Sequence, residues 1–386
     1  MDKIYTINTN SNDYNNSTLI LKVLKNDTVN KLTINVEEYN ELFKCKTQID
    51  NNKIWDKNKK KKNKYELVFI SNRNKYINVS NYIPISRSYF KLWEILYDID
   101  FVDIILKNDW AKITTNHIAE GPGGFIESTI RYCERFKIPI ENINAITLKE
   151  DNNADVPNWK VGLKMINENN IKIHYGIDLT GNIYSIKNIL DYIIKVGKNT
   201  STIVTADGGI DYSIDYNKQE QLSYRLILCE IVIALSIQVK NGIFVFKIFD
   251  LSTQFTVELL YILSKCYKEI IITKPNTSRM ANSEKYVICK GFIGITIANI
   301  NILYKAVDVF EEEFPFSLVD GGIEQEFINL IMEYNNNYIK TQIDNINNTL
   351  EPVIHEDYIL QIKSAYSWCN KYEISINKYN KYNKII

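Results

Sequence analysis

The sequence lacks a charge of one sign. Its 46 Lys+Arg are balanced by 46 Asp+Glu, a formal net charge of zero over 386 residues. That excludes a globally cationic, histone-like binder, so any nucleic-acid partner has to be gripped by a local patch. Arginine is scarce as well, supplying only six of the 46 cationic residues. No uninterrupted apolar run approaches the ~18 residues that a membrane helix needs. The opening Met1-Asp2-Lys3-Ile4-Tyr5 starts no apolar run with a small-residue cleavage site, so neither a membrane span nor a secretory leader is expected. The six cysteines (Cys45, Cys133, Cys229, Cys266, Cys289 and Cys369) contain no Cys-x-x-Cys pair, and the three histidines are dispersed. Buried thiols in a reduced, intracellular setting are therefore expected rather than disulfides, zinc or any other bound metal.

What is present is a chain that is 45% hydrophobic and long enough for two or three units. Residues 1–80 read as a β-rich region with strand-like runs at Leu19–Leu24, Lys31–Val36 and Tyr65–Ile70, separated by polar turns. Lys57-Asn58-Lys59-Lys60-Lys61-Lys62-Asn63-Lys64 reads as a solvated, mobile loop, with a phosphate-binding or import patch as the other reading. From about residue 85 the rhythm becomes alternating helices and short apolar strands. Tyr89–Ile105 carries a helical pattern. Strands are then expected at Thr115–Ala119, Ile143–Leu148, Ile171–His174, Thr202–Ala206, Gly242–Phe249, Ile270–Thr273 and Lys285–Lys290. Helices are expected at Gly124–Phe136, Ser185–Val196, Lys218–Val239 and Thr253–Tyr267. Such βα repeats predict a doubly wound, Rossmann-like α/β sheet, mostly parallel and covered on both faces. Only the polar link Pro275–Glu284 joins the last two strands, so the final one can run antiparallel. Gln325–Leu350 and Asp357–Tyr372 read as helices of a C-terminal extension.

The strongest local signal is Ala119-Glu120-Gly121-Pro122-Gly123-Gly124-Phe125, between the first strand of the repeat and a helix. Glycines there let a ligand approach the backbone at the carboxyl end of a strand. The spacing is neither Gly-x-Gly-x-x-Gly nor a P-loop, and its acidic-then-glycine character suits a cationic, ribose-bearing ligand such as S-adenosylmethionine. By itself it could equally be a tight turn. Ionisable residues at strand ends are the second signal. Asp207 follows an apolar strand and precedes Gly208-Gly209, Lys247 interrupts Ile243–Phe249, and Glu284 stands just before Lys285–Cys289. Lys91 lies in the helix that precedes the glycine loop. A lysine inside so apolar a strand is costly unless paired or functional.

Taken in order, Ala119–Phe125, Ala206-Asp207-Gly208-Gly209, Phe246-Lys247-Ile248-Phe249-Asp250 and Thr277–Val287 resemble the FtsJ-type 2′-O-ribose methyltransferases. The run Gln219–Gly291 resembles most the subgroup that acts on the first transcribed nucleotide of capped mRNA. The resemblance covers about residues 85–295, dividing the chain into 1–80, 81–295 and 296–386. It implies a catalytic tetrad of Lys91, Asp207, Lys247 and Glu284, with Lys247 as general base. It implies S-adenosyl-L-methionine as donor and S-adenosyl-L-homocysteine as product. Donor contacts would come from Ser86, from Ala119, Glu120, Gly121, Pro122, Gly123, Gly124 and Phe125, and from the adenine-side residues Asp178, Asn182 and Ile183. Relatives commonly carry Asp where this chain has Asn182, and no acidic residue stands at Thr147-Leu148-Lys149 to hold the ribose hydroxyls. Asn217, Lys218, Gln219, Ser278, Arg279 and Asn282 would face the RNA. The implied partner is a capped RNA 5′ end, with capping or transcription proteins as candidates for the extensions and with nucleus and cytoplasm both open. Ribosomal or transfer RNA methylation, and a non-catalytic RNA-binding subunit, remain the alternative readings.

Overall fold

The computed structural model describes residues 4–8, 19–50, 52–149, 159–160, 162–209, 215–352 and 358–384. Their elements, in chain order, are β1 (Ile4–Asn8), β2 (Leu21–Lys25), α1 (Val36–Asp50), α2 (Trp55–Lys61), α3 (Ser88–Asp98) and α4 (Phe101–Lys107). Then come β3 (Ile113–Ile118), α5 (Gly124–Phe136), β4 (Ile140–Ile146), α6 (Leu163–Glu168), β5 (Lys172–His174), α7 (Ile186–Val196), β6 (Ser201–Ala206) and α8 (Gln219–Ile237). The rest are β7 (Gln238–Ile248), α9 (Gln254–Cys266), β8 (Tyr267–Thr273), β9 (Lys285–Phe292), α10 (Ile297–Asp308), α11 (Phe310–Glu313), β10 (Phe316–Val319), α12 (Gln325–Leu350) and α13 (Tyr358–Lys371).

Eight strands form one sheet in the order β1-β8-β9-β7-β6-β3-β4-β5. The neighbours β3–β4, β4–β5, β3–β6 and β6–β7 are parallel, while β9 runs antiparallel to both β7 and β8. The fold is thus the expected Rossmann-like, mostly parallel sheet with its last repeat strand reversed. β1 adds a second antiparallel strand, which covers the outer edge of β8. Period-two side-chain placement sorts the apolar strands into two cores. Ile118, Val204, Ala206, Phe244 and Phe246 enter one core with α8 and α9, and Ile203, Ile243, Val245 and Ile288 enter the other with α3 and α13. Lys247 shares the parity of Ile243 and Val245, so it stands on the face that α3 covers.

The N-terminal runs depart from the sequence reading in three places. Only the first becomes a strand: β2, which pairs with β10 in a separate two-stranded sheet. Lys31–Val36 is not a strand, because Asn35 caps the start of α1, its Oδ1 accepting from Glu37 N at 2.9 Å. Tyr65–Ile70 is not one either. It makes a short 3-10 turn at Glu66–Val68 that turns the Glu66 carboxylate inward to meet Asn63, Arg87 and Arg279. The lysine run is likewise no loop, since its first half lies in α2. The single helix expected over Tyr89–Ile105 breaks at Asp100, whose φ is +52°. The six cysteines are buried thiols. Among the described residues no helix is long and apolar enough to cross a membrane.

Candidate active site

Strand order reverses between β3 and β6, and ligand crevices in such sheets open beyond the carboxyl ends of the strands at that point. Ile118 is paired with Ala206 there, and Ala206 with Phe246. Ala119-Glu120, Asp207 and Lys247 therefore leave the sheet side by side. Lys247 is in register with Tyr286 of β9, whose hydroxyl donates to Asp207 Oδ1 at 2.9 Å. Lys247 Nζ donates to the Asp207 carbonyl at 2.9 Å and lies 3.3 Å from Asp207 Oδ1. From α3, Lys91 Nζ reaches the two carboxylate oxygens of Glu284 at 2.7 and 2.9 Å, and Ser278 Oγ donates to Glu284 Oε1 at 2.8 Å. The four side chains are 12–15% exposed, enough for a substrate to reach them. Burial alone would raise the Glu284 carboxyl, but Lys91, Lys247 and Lys274 hold it down at about 2. The structure thus brings together the four residues expected to act as one centre.

The glycine loop is built for close approach. Ala119 and Gly123 have φ of +54° and +107°, and the Gly121–Pro122 peptide is cis. A Cβ on Gly124 would lie 2.1 Å from Ser86 Oγ, so Ser86 packs directly on the loop. Glu120 is 4% exposed, with Oε2 at 3.0 Å from His117 Nδ1 and Oε1 without a partner. Burial, only partly opposed by His117, raises its carboxyl. Phe125 is buried in the core against Tyr286, and Ile183 is buried in the opposite core. Asp178 Oδ1 accepts from Thr180 N, Thr180 Oγ1 and Asn188 Nδ2, and Asn182 Oδ1 accepts from Tyr184 N. These two side chains shape their own loop.

The residues expected to face RNA fall into two groups. Asn217, Lys218 and Gln219 lie at the entry to α8, where Asn217 Nδ2 donates to Thr47 Oγ1 of α1 and Lys218 sits 3.5 Å from Asp215. Ser278, Arg279 and Asn282 lie in the β8–β9 link. There Arg279 forms a two-point ion pair with the buried Glu66, at 3.1 and 2.7 Å. Asn282 accepts from Lys274 Nζ through both its carbonyl (2.8 Å) and Oδ1 (2.7 Å), and Lys274 Nζ also reaches Glu284 O at 2.6 Å. Gln219 and Asn282, distant in sequence, line one cavity.

Sequence reasoning missed Tyr286 and Glu230. Tyr286 needed the β7–β9 register to be seen. Glu230 left a visible signal, an acid inside the apolar run Leu226–Leu235. It is 1% exposed in α8 beneath the Asp207–Gly208 turn, and a Cβ on Gly208 would come within 2.2 Å of its Oε1.

The profile of the FtsJ-like methyltransferases matches residues 84–292. Among curated proteins, the cap-specific mRNA (nucleoside-2′-O-)-methyltransferase 1 of Dictyostelium discoideum is 41% identical over 141 residues, 36% of this chain and 19% of that protein. The Drosophila melanogaster protein of that name is 34% identical over 184 residues, 44% of this chain and 23% of its own. The Homo sapiens one is 31% identical over 248 residues, 58% and 28% respectively. This chain spans less than a third of the length of each of these relatives.

Proposed function

Because the chain belongs to the FtsJ-like methyltransferase family, we propose that it methylates the ribose 2′-hydroxyl of the first transcribed nucleotide of capped mRNA, converting cap-0 to cap-1. The observation that carries the reading is the pairing of Lys91 with Glu284 and of Lys247 with Asp207 where strand order reverses. Likeness to the cap-specific relatives at 31–41% identity supports the choice of substrate. In this reading the methyltransferase unit is 81–295, flanked by 1–80 and 296–386.

S-adenosyl-L-methionine fits the crevice chemically, since the buried, unpartnered Glu120 Oε1 offers an acceptor beside the tight Ala119–Gly124 loop. When bound, it supplies an electrophilic methyl group on a sulfonium. A ribose hydroxyl is a poor nucleophile until its proton is taken. Lys247 Nζ would take that proton as the hydroxyl oxygen accepts the methyl group that the donor would supply. Contacts to Asp207 O and Oδ1 fix the direction of the amine. Lys91 is held by Glu284, which places a second cation near the hydroxyl oxygen as it gains charge. Asn217, Lys218, Gln219 and Asn282 are the RNA-facing side chains in this reading, with Ser278 and Arg279 beside them.

A positioned base contributes about 10²–10⁴-fold. Lys247→Ala should therefore lower methyl transfer by about that factor while donor binding, followed by calorimetry, is retained. Transfer near the wild-type rate would overturn the assignment. Labelled donor incubated with capped and uncapped short RNAs checks the substrate, and transfer to uncapped RNA alone would replace the cap by another RNA.

A further inference from the structure

The lysine run has a fixed place in the structure. Asn58, buried in the middle of α2, donates through Nδ2 to Thr349 O and Glu351 O, both at 3.1 Å, which pins the helix to the end of α12. From α13, Gln361 Nε2 donates to Lys60 O, Lys61 O and Asn63 O at 3.1, 2.8 and 2.7 Å, closing the other end. With its polar side chain and carbonyls so held, α2 displays Lys57 and Lys60, and the turn after it Lys64, as exposed side chains. Residues 55–64 carry six lysines against one acid, Asp56, in a chain whose total charge is zero.

This cationic wall borders two adjoining hollows. One, of about 130 Å³, is lined by Lys46, Trp55, Lys59, Gln219, Arg279 and Asn282. The other, of about 330 Å³, is lined by Lys59, Lys62, Lys64, Arg279, Asn345 and Asn348. Lys59 and Arg279 belong to both, so the hollows form one groove. Asn282, which lines the smaller hollow, lies two residues from Glu284 in the chain. Lys59 pairs with Asp56, and Arg279 with Glu66, so these two cations are partly neutralised locally. Lys62 and Lys64, which line the larger hollow, then add positive charge along the groove. Asparagines and lysines along an open groove match a row of phosphates, whose oxygens accept hydrogen bonds without a sequence-specific edge.

We infer that α2 and the groove beside it form a phosphate track, outside the family-matched residues 84–292, that holds the 5′ end of RNA as it leads to the reactive centre. The inference rests on the RNA reading above and adds where the phosphates lie. The row of phosphates is either the triphosphate bridge of the cap or the phosphodiesters beyond the first nucleotide.

The test uses the full chain and the variant Lys59→Gln/Lys62→Gln/Lys64→Gln. Binding of a capped dinucleotide and of a capped 20-nucleotide RNA is followed by fluorescence anisotropy across salt concentration, with donor binding by calorimetry as a check on folding. The expected result is about a tenfold weaker Kd at moderate salt and a salt slope smaller by about 2, from three lost phosphate contacts at roughly 0.7 each. Loss with both ligands assigns the track to the triphosphate bridge, and loss with the 20-mer alone assigns it to the phosphodiesters. Unchanged Kd and slope for both RNAs in a donor-binding variant would overturn the track and leave α2 as a surface for an acidic protein. Wild-type binding with the expected loss but no methyl transfer would sink the proposed activity and leave the track standing. Normal transfer with no loss would do the reverse.

Discussion

Glu230 puts a carboxyl group where a charge is hard to keep. Burial, with Asp207 and Glu120 nearby, pushes its pKa well above the usual carboxylate range against the pull of Lys247. It accepts from the Gly208 backbone, and the absent Cβ of Gly208 makes room for it. It therefore positions the Asp207–Gly208 turn, and through Asp207 the proposed base Lys247. Glu230→Gln keeps the shape and an acceptor oxygen without a charge and should retain kcat within about threefold. Glu230→Leu removes the acceptor and should lower kcat by about tenfold and displace the rising, acid-side limb of the pH profile, with donor affinity unchanged; kinetics against pH decide it. Glu284 gives a second prediction. Its folded pKa, about 2, lies below the ordinary 4.5. Its ion pair therefore contributes stability that is present above pH 4.5 and lost as pH falls toward 2. Urea unfolding across that window should show Glu284→Gln flattening the acid loss by on the order of 3 kcal/mol.

At the scale of elements, α1 is locked to the sheet by charge. Lys46 Nζ lies 2.6 Å from Asp250 Oδ2, and the fully buried Lys285 approaches Asp250 Oδ1 at 3.7 Å and the Tyr338 ring at 3.9 Å. Burial lowers the Lys285 amine to about 8 against the pull of Asp250, which is itself held low by Lys46 and Lys285 despite its own burial. Lys46→Ala leaves the Asp250 carboxylate buried with Lys285 as its remaining charge partner among these three. Breaking a buried pair from one side costs about 3–5 kcal/mol, so the urea midpoint should fall markedly. Lys46→Met with Asp250→Asn should recover part of it, because no lone carboxylate is then left. The partner of α1 is thus a residue some two hundred positions away, beyond the reach of any local pattern. The same holds for β1, which completes the sheet edge against β8.

For the molecule as a whole, balanced charge would set how RNA is held in the proposed reading. A neutral chain cannot bind by long-range field, so affinity rests on a few phosphates met by placed lysines. RNA affinity should fall with salt at a slope of about −2 to −3, as expected for roughly three or four phosphates on a single strand. A titration by anisotropy from low to moderate salt measures it, and a much steeper slope would mean a broad cationic face instead.

The parallel sheet, the glycine loop, Asp207 and Lys247 were legible because each is encoded within one strand–loop–helix unit, whereas Lys91 and Glu284 were picked out by the resemblance of the surrounding motifs. An apolar strand of five or six residues, a glycine turn and a lysine out of place all survive in the linear pattern. Asn35, ahead of Glu37 and Glu38, marked the start of α1 just as plainly, but the apolar alternation of Lys31–Val36 pointed to a strand. Tertiary contacts decided the rest. Glu66 became a turn because two arginines from elsewhere meet its carboxylate, and the lysine run became a helix because α12 and α13 supply partners for Asn58 and for the carbonyls of residues 60, 61 and 63. By itself the sequence determined which residues can do chemistry, since those types recur at strand ends. Only the folded chain decided what surrounds them, because burial, ion pairs and register bring together residues whose separation along the chain carries no signal.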